Sequence, residues 1–256
     1  MDQKIAENMH RLKSHDARLY IKAGDNASEM ADVPSETMQS WSLSRQPYLV
    51  AVEKKKWSLL RFPTSSAAQA AGMSTEAFQE FCFQVSCLSY AKMDRAMVPL
   101  VELMQKTDQV HSANGAITRN APSLVDGATF ENVCLTFEHG RIVSATGTPQ
   151  DKLTTRLDTD EGARYLGEFA LGVNPFITFP MKDILSDEKI AGSLHLTPGD
   201  AYEDFWDNGN RSAVHPVLIQ TPEWGGGEIW FDGVLVRRDG SFALAELEGL
   251  NPENLV

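Results

Sequence analysis

A chain of 256 residues, 42% hydrophobic and 23% charged, is long enough to bury a large core and has the makeup of a globular protein. Its 35 acidic against 23 basic side chains give a formal net charge of −12, which argues against partners held by basic patches, such as nucleic acid or an anionic membrane. Three cysteines (Cys82, Cys87 and Cys134), an odd number without CxxC spacing, argue against a disulfide framework or a zinc knuckle.

The N-terminal MDQKIAENMHRLK lacks the apolar run of a secretory signal, and no segment approaches the ~20 apolar residues of a membrane span, so a cytoplasmic protein is expected. Ile5, Met9 and Leu12 fall four and three apart, which predicts a short amphipathic helix over 2–14 with His10 and His15 in solvent. Ala17 to Asn26 reads as a strand ending in a Gly-Asp-Asn loop. Pro34 opens a helix to about Ser44, proline being favoured in a first turn. Lys54, Lys55 and Lys56 form a solvated run ahead of the strand WSLLRFP. Ser74 caps a further helix whose Phe78, Phe81, Cys82, Val85 and Leu88 make a core stripe, with Cys82 and Cys87 as buried thiols. Another helix is expected from about Pro99 to Val110, turning Leu100, Leu103 and Met104 inward.

Around His111 to Ala116 strands take over. Phe130 to Phe137 and RIVSATG pair through Glu138-His139-Gly140, which makes His139 a turn residue rather than a ligand. Asp-Gly at 232–233 and 239–240 marks hairpins among GEIWFDGVLV and SFALAEL. Gly225-Gly226-Gly227 lacks the strand-then-helix setting and the Lys-Ser of a phosphate loop. The expected class is α+β: a truncated α/β N-terminal domain, 1–112, and a mainly antiparallel β domain, 113–256, carrying the metal-site residues.

Chemistry concentrates between Leu153 and His215. Glu168, His195 and His215 are metal-competent, with Glu188 and Tyr202 beside them. A carboxylate with imidazoles suits zinc, cobalt, manganese or iron. There is no HExxH, and the two histidines lie 20 residues apart, so only the fold can bring them together. Taken singly, each histidine also reads as a satisfied core residue, and Glu168 as a helix-end or loop acid.

The strings GARYLGEFALGVNP, DEKIAGSLHL and GGGEIWFDGVLVRRDGSFALAELEGLNPENL resemble the thermophilic-type metallo-aminopeptidases (aminopeptidase T, aminopeptidase S and PepS), closely from Ala113 to Val256. GDNASEMADVPSETMQSW and WSLLRFPT give a fainter likeness, from Ala17 to Val110, to the later part of that family's N-terminal domain. The resemblance implies a dimer in which two ions share a bridging carboxylate and a metal-bound water attacks a peptide carbonyl. Carried over, Glu168 is the bridging carboxylate, His195 and His215 are the histidine ligands, Tyr202 stabilises the oxyanion and Glu188 is a nearby general base.

Two departures qualify that picture. The family's His-x-Asp, whose Asp is a ligand, is here His215-Pro216-Val217, and a valine offers no lone pair. The segment holding the family's first ligand glutamate, just before Gly115, is absent, and Glu102 upstream has the wrong neighbours. Early strand–helix units also look missing. With three ligands left, one ion is the expected occupancy, zinc first among divalent metals. The leading expectation is a hydrolase acting on a small peptide or amide. The alternatives are a repurposed mononuclear enzyme, the same ligands matching an iron facial triad, acting on a small amino-acid-derived molecule, or a non-catalytic homologue.

Overall fold

A computed structural model describes residues 2–107, 115–201, 208–224 and 227–256. The chain opens with α1 (Asp2–Lys13), β1 (Ala17–Lys22), α2 (Ser35–Glu53) and β2 (Lys56–Arg61). β1 and β2 pair in parallel, from Ala17 opposite Lys56 to Lys22 opposite Arg61. The helix expected to stop near Ser44 continues through Pro47 to Glu53. Its later turns place Tyr48, Leu49 and Val52 on a shared surface cleft with Tyr20, Trp57 and Leu59 of the strands. The opposite face of the ribbon leaves Leu19, Ile21 and Leu60 exposed.

Three helices follow: α3 (Ser65–Ala70), α4 (Thr75–Ser86) and α5 (Tyr90–Lys106). Ser74 caps α4 as expected, its hydroxyl accepting from the Ala77 amide. Cys87 is a correction: it ends α4 and is exposed, while Cys82 is only half-buried. α5 starts nine residues before the expected Pro99, which lies inside it. Met93, Ala96, Met97, Leu100, Leu103 and Met104 form one continuous stripe at helical spacing, and its packing carries the helix past the proline.

From β3 (Gly115–Arg119) onward the strands pair antiparallel. The long β5 (Ala128–Glu138) pairs with β3, with β4 (Ser123–Val125) and with β6 (Arg141–Thr148). α6 (Gln150–Leu157) lays Leu153 and Leu157 on Val133, Leu135 and Ile142. A second sheet runs in the order β7 (Leu166–Leu171), β8 (Leu194–Pro198), β9 (Leu218–Gln220), with the short α7 (Ile184–Asp187) between β7 and β8. β10 (Glu228–Phe231), β11 (Val234–Arg238) and β12 (Ser241–Phe242) form a third, followed by α8 (Pro252–Leu255).

The hairpins turn where two successive residues hold positive φ: His139-Gly140, Asp232-Gly233 and Asp239-Gly240, as the sequence predicts, and also Asp126-Gly127 between β4 and β5. Two cores cross residue 112. Ala67, Phe78 and Phe81 pack with Ile177, Met181 and Ile190, and Leu100 of α5 packs with Phe231, Val236, Phe242 and Leu247. Among the described residues no helix is long and apolar enough to cross a membrane.

Candidate metal centre

β7 and β8 place Glu168 opposite Thr197 and Ala170 opposite His195. Side chains of directly paired residues share a sheet face, so Glu168, His195 and Thr197 lie on one side. Phe169, Leu194 and Leu196 occupy the other, where they line a cavity of about 490 Å³ with Ile117, Ile229 and Trp230. His215 comes from an irregular segment just before β9. The Glu168 carboxylate reaches both rings: Oε2 lies 3.0 Å from His215 Nε2 and Oε1 lies 3.5 Å from His195 Nε2. The first is a hydrogen bond. The second is an ion-pair distance only, and the buried His195 Nε2 has no hydrogen-bond partner.

The far nitrogens settle the tautomers. His215 Nδ1 lies 2.9 Å from the Asp200 carbonyl oxygen, and His195 Nδ1 lies 3.3 Å from that of Glu188. A carbonyl only accepts, so each Nδ1 donates, and the 3.0 Å bond from His215 Nε2 to the Glu168 carboxylate needs a second proton on that ring. Burial would raise the Glu168 carboxyl, but the two imidazoles outweigh it and hold the carboxyl well below the ordinary carboxylate range. Burial would lower the His215 imidazole, but its bond to Glu168 wins and raises it. The centre therefore favours positive charge on its imidazole side.

No ladder holds His215, so side chains do. Asp160 Oδ1 accepts from Ser212 Oγ at 2.8 Å and from the Ala163 amide at 2.9 Å, while its Oδ2 accepts from the Ala213 amide at 2.7 Å. Asp200 accepts from the Ser212 amide at 2.9 Å. Asn210 Nδ2 donates to the carbonyls of Gly162 and Gly199 at 2.9 and 2.6 Å. At Gly199, φ +100, an added Cβ would overlap the Val214 carbonyl oxygen. Asp160 went unnoticed in the sequence because its partners lie some fifty residues away. The local signal was an Asp ahead of the Glu-Gly-Ala turn, where it caps a short 3₁₀ helix, Glu161–Arg164.

Glu188 contributes its main-chain carbonyl to His195, while its carboxylate bonds Lys189. Tyr202 lies outside the described residues. Val217 is buried with Ala121 and Ile219, and Glu102 lies on the exposed face of α5 beside Lys106. Among the described residues no three His, Cys, Asp or Glu side chains surround one point at ligand spacing.

A strand-borne carboxylate facing two imidazoles is a set of donors that a divalent metal accepts. Residues 98–217 match the model of the thermophilic metalloprotease (M29) family. The chain is similar to aminopeptidase AmpS of Bacillus subtilis, 41% identical over 104 residues, or 37% of this chain and 24% of that protein. It is similar to aminopeptidase T of Thermus thermophilus, 32% identical over 117 residues, or 40% of this chain and 28% of that protein. Its fold matches the solved wild-type AmpT from Thermus thermophilus with a TM-score of 0.72 at 18% identity, over 95% of this chain and 80% of that one. Over the matched stretches the chain is similar to the thermophilic-type metallo-aminopeptidase (M29) family. The matched stretches span less than a third of the two curated relatives.

Proposed function

We propose that this protein is a metal-dependent hydrolase of the aminopeptidase type that holds one divalent ion with Glu168, His195 and His215. One observation carries the reading: both imidazoles are fixed through Nδ1 by main-chain carbonyls, with both Nε2 atoms turned on a single carboxylate. In the absence of a metal a proton on His215 Nε2 answers the carboxylate, and the buried His195 Nε2 is left without a hydrogen-bond partner. The donor set thus fits a metal. Two imidazoles and a carboxylate match catalytic zinc first, and cobalt, manganese and iron accept the same donors.

A bound divalent ion would supply the charge that polarises a substrate carbonyl and acidifies water. Glu168 holds the negative side of the centre, and the carbonyls of Glu188 and Asp200 hold the imidazoles in the ligating tautomer. Val217 adds no oxygen, which supports one ion rather than two. Glu188 is the carboxylate to take up a proton, and Tyr202 the phenol to donate to a developing oxyanion. The substrate class is a small peptide or an amino-acid-derived amide. A homodimer and a cytoplasmic location belong to the same proposal and rest on likeness.

Elemental analysis should give about one ion per chain, and aminoacyl-nitroanilide turnover should disappear in His195→Ala and His215→Ala. Two ions per chain overturn the stoichiometry. Dioxygen uptake with ferrous iron, without amide hydrolysis, moves the protein to the mononuclear iron reading that the same three ligands allow.

A further inference from the structure

Three buried polar atoms on one face of β8 and its lead-in have no hydrogen-bond partner: Ser193 Oγ, His195 Nε2 and Thr197 Oγ1. Ser193 lies over Gly172, where an added Cβ would overlap its Oγ, at the end of the row away from Glu168. Thr197 is fully buried and sits directly across the ladder from Glu168. Paired residues of antiparallel strands carry their Cβ atoms about 4.5–5.5 Å apart. A buried hydroxyl without a partner is destabilising, and valine would fill the same volume without that penalty. The side chain directly across the ladder from this hydroxyl is Glu168.

We propose that Thr197 is a positioning residue of the metal centre. It rests on the metal-centre reading above. In the structure Glu168 spends both carboxylate oxygens on the imidazoles. A bound cation would be held by the two Nε2 atoms and one Glu168 oxygen. The other oxygen then needs a donor. Thr197 Oγ1 supplies it, directly or through one water, and fixes the carboxylate for the ion. Outer partners of this kind typically change metal affinity by about 10–100-fold.

Cobalt(II) alone is the probe, titrated into the full chain and followed by d–d absorbance and calorimetry. Thr197→Val should bind cobalt about 10–100-fold more weakly than wild type. Thr197→Ser, which keeps the hydroxyl, should bind close to wild type. Without metal, Thr197→Val should melt at or above the wild-type temperature, because it removes an unpartnered buried hydroxyl. Wild-type affinity in Thr197→Val overturns the inference, and so does a metal-free Thr197→Val that melts well below wild type. Wild-type protein that takes up no cobalt overturns the metal centre itself, so the two failures are separable.

Discussion

The two imidazoles of the centre are held by different means. His195 rides on a strand, paired with Ala170 on one side and Ile219 on the other, and is almost wholly buried. His215 rides on an irregular segment and is held by Asp160, Asp200, Asn210 and a close approach at Gly199. A ladder spreads its support over many main-chain bonds. A loop braced by side chains concentrates it in a few. The centre is therefore rigid on the β7–β8 side and vulnerable on the His215 side, and single substitutions should separate the two.

Gly199→Ala should have the largest effect. The residue sits at φ +100 against the Val214 carbonyl, so an added methyl meets both backbone strain and overlap. A loss of about 3 kcal/mol or more is expected by calorimetry, together with loss of cobalt binding as His215 is displaced. Asp160→Ala comes next. It strips acceptors from Ser212 Oγ and from the amides of Ala163 and Ala213, for about 2–3 kcal/mol. Hydrogen exchange sharpens the contrast: amides of 212–215 should lose protection while those of β8 keep theirs. Equal loss in both places would show that the two halves are one cooperative unit.

The sequence made the local devices legible and the distant ones illegible. Asp-Gly at 232–233 and 239–240, the Ser74 cap and the Phe78–Phe81–Val85 stripe act within a few residues, and each stands where its residues predict. Asp126-Gly127 carried the same hairpin signal and only needed to be read. The prolines misled: Pro47 lies beyond an expected helix end, and Pro99 looked like a helix start, although the packed stripe of α5 overrides its one lost hydrogen bond. Spacing could not pair His195 with His215. The family strings nominated both together with Glu168, and the strand register with the loop braces is what brings the three to one place. Thr197 and Asp160 stayed hidden because their importance lies in a cross-strand partner and in a loop some fifty residues away.

The smallest expected effect tests what stands behind the rigid half. His195 Nδ1 bonds the Glu188 carbonyl, and Glu188 directly follows α7, whose lead-in is tied by Asp187. The Asp187 carboxylate accepts from the amides of Met181 and Asp183 at 2.7 and 3.1 Å. Its burial, more than any neighbour, pushes the carboxyl up to about 7. The folded protein thus keeps this proton up to about pH 7, whereas the unfolded chain releases it near the ordinary carboxylate value. Stability must fall as pH rises between those two values and level off above the higher one. From pH 6 to pH 8 the loss assigned to Asp187 is about 1 kcal/mol. His215, whose folded value is also raised, loses stability in the same direction as pH rises through it. The measurement is therefore the difference between the wild-type and Asp187→Asn unfolding curves across that window. A difference that does not change with pH would show that Asp187 is ionised throughout, and that the turn behind His195 is held by a charged acceptor.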